Sequence, residues 1–160
     1  MAATDHEGYM RRALALAEEA GAAGEVPVGC VIVRDGEVLG WGRNRREERQ
    51  SALSHAEIEA IAMANRALGS WRLEGCSLYV TLEPCPMCAG AILNARVNRV
   101  YYGARDAVMG ACGGVLNLFM EDFPQCPALV GGILAEECGA VLSDFFQKLR
   151  KKGGPPAGGL

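Results

Sequence analysis

The chain has 160 residues, half of them hydrophobic, a formal net charge of −3 and a pI of about 5.4. That length suits one domain with a substantial core, and the charge excludes a bulk electrostatic nucleic-acid binder. No apolar run of eighteen residues predicts a transmembrane helix, Met1 to Arg12 holds no apolar signal segment, and seven unevenly spaced cysteines fit a reducing cytoplasm better than a disulfide scaffold.

The predicted elements alternate. Asp5 to Ala20 reads as an amphipathic helix stopped by Gly21, with His6 in a frayed start. Val28 to Val33 and Val38 to Gly42 flank the turn Arg34-Asp35-Gly36-Glu37, a hairpin signal. Arg43 to Ser54 is polar and loop-like. Ser54 can cap a helix from His55 to Leu68, with Ile58, Ile61 and Met63 as core candidates. Cys76 to Leu82 is a strand ended by Pro84, and Pro86 suits the first turn of a helix from Met87 to Arg96. Val97 to Gly103 is a third strand. Ala104 to Leu129 is irregular, with a turn rich in glycine (Gly110, Gly113, Gly114), and Ile133 to Arg150 is a last helix. The pattern predicts one α/β domain over residues 1–150 and a disordered Gly/Pro-rich tail over 151–160. Trp41 and Trp71 are expected in the core. Cys30, Cys76, Cys112, Cys126 and Cys138 are expected as buried, unreactive thiols.

Two short motifs carry chemistry. His55-Ala56-Glu57 opens one helix, and Pro84-Cys85-Pro86-Met87-Cys88 opens another. Cysteines at i and i+3 in a first turn face one way and can share an ion, and the helix N-terminus favours their thiolates. His55 supplies a third ligand. Three protein ligands leave one tetrahedral position for water, which a zinc ion makes acidic near neutral pH. Glu57, two residues from the ligand histidine, can carry protons only if it stays off the metal. Alone, each part has a plainer reading: His55 as a cap, the cysteine pair as a structural or redox site, Glu57 as a surface carboxylate. Together they match the H-x-E…P-C-x-x-C signature of zinc deaminases.

The run Gly69-Ser70-Trp71-Arg72-Leu73-Glu74-Gly75 leads into Leu78-Tyr79-Val80-Thr81-Leu82-Glu83-Pro84-Cys85-Pro86-Met87-Cys88-Ala89-Gly90-Ala91. With Glu25-Val26-Pro27-Val28-Gly29, Tyr102-Gly103-Ala104-Arg105-Asp106, Glu136-Glu137-Cys138 and Asp144-Phe145-Phe146, it resembles bacterial tRNA-specific adenosine deaminases of the TadA type over residues 7–150. The resemblance implies a three-layer cytidine deaminase-like fold, a five-stranded mixed sheet between helices, and a cytoplasmic homodimer with one Zn2+ per subunit. It also implies conversion of adenosine to inosine at the wobble position of a tRNA anticodon stem-loop. In this chain Asn44 stands for the purine-contacting asparagine, or serves as a turn residue. The Ala56 backbone stands for the group that meets the base. Val28 and Leu82 stand for pocket walls or core, and Asp106 for the sugar contact or a loop cap. Phe145 and Arg150 stand for anticodon stem-loop contacts, or for core and a solvated helix end. Three loops depart from the family pattern, at Ser51-Ala52-Leu53-Ser54, Ala107-Val108-Met109 and Gln125-Cys126-Pro127. The motif itself leaves open a deaminase of a free base or nucleoside (guanine, adenine or cytosine). A non-catalytic zinc-stabilised RNA-binding module would not need Glu57.

Overall fold

The computed structural model describes residues 3–153. Helix α1 (His6–Ala22) starts at Asp5, whose side chain accepts the Gly8 N–H at 2.9 Å. It runs through Gly21, since glycine weakens a helix by about 1 kcal/mol without ending it. His6 is not frayed. Its Nδ1 lies 2.7 Å from the Tyr79 hydroxyl, and its ring lies 4.4 Å from that of Tyr101.

Strands β1 (Gly29–Arg34) and β2 (Glu37–Arg43) form the predicted hairpin. Both turn residues, Asp35 and Gly36, take the positive φ that a two-residue hairpin demands. Then come α2 (Arg46–Arg49), α3 (Ala56–Leu68), β3 (Ser77–Leu82), α4 (Pro86–Ala95), β4 (Arg99–Ala104), a 3₁₀ turn (Leu118–Met120), β5 (Ala128–Val130) and α5 (Ala135–Lys151). The sheet order is β2-β1-β3-β4-β5. β1 pairs antiparallel with β2 and β3, while β3, β4 and β5 run parallel. Helices α1 and α5 cover one face, and α3 and α4 the other. This is the expected three-layer fold.

Several expectations change. The polar stretch 43–54 contains the single turn α2, and the irregular stretch 104–129 contains β5. His55, not Ser54, is the N-cap of α3. Ile61 is buried, but Ile58 and Met63 are only half-buried; Ala56, Ala60 and Ala64 form the inner face of α3. Gly40 and Gly42 of β2 explain this. A Cβ at either would strike the α3 backbone, so helix and strand touch directly. Trp41 and Trp71 are about half exposed, at 49% and 54%. Trp41 alternates with Gly40 and Gly42 and so points away from α3. Trp71 lies in a loop under the Arg72 guanidinium, 4.4 Å from its ring. Cys30, Cys76, Cys112 and Cys138 are buried, whereas Cys126 is half-buried. Of the predicted tail, Lys151 belongs to α5, Lys152 and Gly153 close it, and residues 154–160 lie outside the described residues. Among the described residues no helix is long and apolar enough to cross a membrane.

Candidate active site

Two helix starts meet beside the carboxyl end of β3. Cys85 is extended (φ −77°, ψ 173°) and caps α4, with Pro86 in its first turn, where a missing N–H costs nothing. Cys88, one turn on, faces the same way. His55 is extended as well (φ −80°, ψ 155°) and caps α3 through its backbone alone. Its imidazole is thus free to turn inward. Nδ1 lies 3.6 Å from Cys85 Sγ and 3.5 Å from Cys88 Sγ. All three side chains are buried, and their ligand atoms lie within 4.8 Å of one another. One ring nitrogen cannot give one hydrogen to both sulfurs, whereas a cation between the three atoms meets all of them. The donor set fits a metal ion.

The site is electrostatically polarised. The Cys88 thiol beside Cys85 holds the Cys85 thiol down to about 4 against burial, with help from His55. Cys88, sharing that proton and buried, is raised far above the usual thiol range. His55 is raised, first by Cys85, against burial. Glu57, 3% exposed, is pushed up to about 7 by burial, with His55 opposing. It lies beside Cys88 but outside the three-atom ligand group.

The other predicted residues lie on several elements. Asn44 is buried at the end of β2. Its Nδ2 donates to the Val26 carbonyl at 3.2 Å, and its Oδ1 accepts the Arg46 N–H at 3.2 Å. A second amide hydrogen and a second lone pair remain. Ala56 is the first residue of α3, where a backbone N–H has no intrahelical partner. Val28 and Leu82 are buried, at 1% and 7% exposure. Asp106 is half-buried, and its Oδ1 accepts the Val108 and Met109 N–H groups at 3.0 and 3.1 Å. Phe145 and Arg150 lie on α5, across the sheet from the ligand triangle. Phe145 lines a groove of about 360 Å³ with Glu18, Pro27, Val141 and Lys148, and Arg150 is exposed.

Two residues of the resemblance motifs carry roles that the sequence does not assign. Glu25 is 2% exposed, and its carboxylate accepts the Glu47 and Glu48 N–H groups at 2.9 and 2.7 Å, anchoring α2. Glu83, equally buried, accepts three backbone N–H groups from residues 106–114. The available signal was a carboxylate embedded in an otherwise apolar stretch, which folds only with donors waiting for it.

Three donor side chains that fit a metal ion, with a buried carboxyl group outside the set, on this sheet, point to a hydrolytic deaminase of the cytidine deaminase-like class. Residues 4–150 match the MafB19-like deaminase family. A tRNA-specific adenosine deaminase of Bacillus subtilis (strain 168) is 49% identical over 93% of both chains. A solved structure from work on A-to-I editing by tRNA:A34 deaminases is 44% identical, covers 84% of this chain and 99% of its own, and superposes with a TM-score of 0.80. A guanine deaminase structure from Bacillus subtilis is 42% identical over 64% of this chain and 66% of its own, at a TM-score of 0.61. The chain belongs to the tRNA-specific adenosine deaminase family.

Proposed function

We propose that this enzyme converts adenosine to inosine at the wobble position of a tRNA anticodon, using one zinc ion per subunit. The carrying observation is the buried triangle of His55 Nδ1, Cys85 Sγ and Cys88 Sγ with Glu57 held beside it. Tetrahedral zinc with ordinary Zn–N and Zn–S bonds sets such nitrogen and sulfur atoms about 3.6 Å apart, which supports zinc as the ion. When bound, zinc supplies Lewis-acid activation of the attacking water.

The residues of the chain account for the rest. Glu57 takes a proton from the water that adds to C6 of the adenine, and delivers it to N1. It then carries the second proton to the departing amine, so adenosine and water leave as inosine and ammonia. Asn44 and the Ala56 N–H bond the base, Val28 and Leu82 wall it, and Asp106 meets the sugar. Phe145 and Arg150 reach the stem-loop. An anticodon loop presents its base already unstacked, which lowers the cost of entry.

The deaminase domain spans residues 1–150. A homodimer is supported by the exposed apolar set Val108, Val115, Leu116, Met120 and Phe123. Seven free cysteines support a cytoplasmic setting. A second reading, deamination of a free base, is supported by the similarity to guanine deaminase. Zinc-loaded protein assayed side by side decides: inosine and ammonia from an anticodon stem-loop are expected, and ammonia from free bases alone would sink the tRNA reading.

A further inference from the structure

Residues 83 and 84, just ahead of Cys85, grip the loop that follows β4. Oε1 of Glu83 accepts the Asp106 N–H at 3.1 Å. Oε2 accepts those of Cys112 and Gly114 at 3.0 and 2.8 Å. The Glu83 N–H donates to the Ala104 carbonyl, and the Ala111 N–H to the Pro84 carbonyl, both at 2.8 Å. The glycine-rich turn belongs to the same grip. A Cβ at Gly110 or Gly114 would occupy the space of Glu83 Oε2 and the Asp106 carbonyl. Glu83 is thus a buried carboxyl group whose side-chain hydrogen bonds come from the backbone of one loop.

The gripped loop borders the site. Asp106 begins it, and its carboxylate is oriented by the Val108 and Met109 N–H groups. Cys112 lies near enough to Glu57 and Cys85 to feel their charges. Held from the segment that carries a metal ligand, the loop keeps one position relative to Cys85.

We propose that Glu83 is a positioning residue for substrate binding: through the Asp106 N–H it fixes the sugar-contacting rim relative to the metal centre, and so sets KM rather than kcat. The proposal rests on the tRNA reading above. Glu83→Gln isolates the relevant bond. Its amide oxygen replaces Oε2 and keeps the Cys112 and Gly114 bonds, which turns an NH2 group against the Asp106 N–H. The expected result is a rise of about tenfold in KM for an anticodon stem-loop, the loss of one charge-assisted hydrogen bond, with kcat within about twofold. Zinc content stays at one per chain, and amide exchange quickens at residues 106–109 but not at 112–114. In an Asp106→Ala background the Glu83→Gln effect on KM shrinks to little, because the two act in series. Should Glu83→Gln not fold, Glu83→Asp keeps the charge, draws the carboxylate back from the Asp106 N–H and gives the same rise in KM.

Loss of kcat at unchanged KM, loss of zinc, or full additivity with Asp106→Ala overturns the proposal alone. Absence of turnover by the zinc-loaded wild-type protein on the stem-loop overturns the tRNA reading, and this proposal with it.

Discussion

Glu57 and His55 stand two residues apart, yet only His55 reaches the ligand triangle. The helix start separates them: His55 is extended and turns in from the cap, while Glu57 sits in the first turn of α3. Glu57→Gln preserves shape and removes the proton carrier. It should keep one zinc per chain and lower kcat by about 10²–10⁴-fold, read by zinc analysis and inosine formation. Metal loss in that variant would make Glu57 a ligand instead. The spare thiols allow a second test with a defined pH sign. Burial raises Cys138 and Cys112 to about 12 each, so thiolate there is scarce at pH 8, roughly one part in 10⁴, and grows tenfold per pH unit below 12. Cys126 is half-buried, so a reagent can reach it. Iodoacetamide on the native zinc-loaded protein at pH 8 should modify Cys126 alone; Cys138 of α5 packs directly on Gly103, where a Cβ would strike its sulfur, and peptide mapping that finds labelled Cys138 contradicts that packing.

At the scale of elements, contact between α3 and β2 places His55 and Glu57, and it depends on two missing side chains. A methyl at Gly42 meets the Ala56 carbonyl and the Ala60 N–H region, at the start of α3. Gly42→Ala should lower stability by about 1–3 kcal/mol in urea denaturation, and should cost activity too, because the helix end that moves carries Glu57. Gly40→Ala meets the helix lower down, at Ala60 and Ala64. It should cost similar stability and less activity. The two glycines also show what could be read in the chain. Hairpin, CxxC helix and long terminal helices follow local periodicity and turn chemistry, so they were legible, as was the grouping of His55 with Cys85 and Cys88. Direct helix-on-strand packing was not, because Ile58 and Met63 look more core-like than alanine, and only the glycines on another element reverse that choice. Likewise α2 is four residues, two of whose N–H groups are met by Glu25, some twenty residues earlier. β5 is three residues paired, among the described residues, only to β4, too short for any alternation to show.

The whole molecule is acidic, and its basic charge is local. Helix α5 runs from Glu136 and Glu137 in its first turn to Lys148, Arg150 and Lys151 in its last. That order suits the helix dipole, and it also sets a cationic end on an anionic body. The two roles make different predictions. If the end serves the dipole alone, neutralising it costs a few tenths of a kcal/mol in stability and leaves RNA affinity untouched. If it meets the stem-loop phosphates, each contact contributes counterion release, a slope of about −0.7 in log K against log salt for single-stranded RNA. The combined variant Lys148→Gln, Arg150→Gln, Lys151→Gln should therefore weaken stem-loop binding at low salt and flatten the salt slope by about 1–2. Any activity on a free base should not change, because α5 lies across the sheet from the ligand triangle. Binding titrations at several salt concentrations give the slope directly. An unchanged slope would remove Arg150 from the RNA interface and leave the rim loops around Asn44 and Asp106 to hold the substrate with little help from charge.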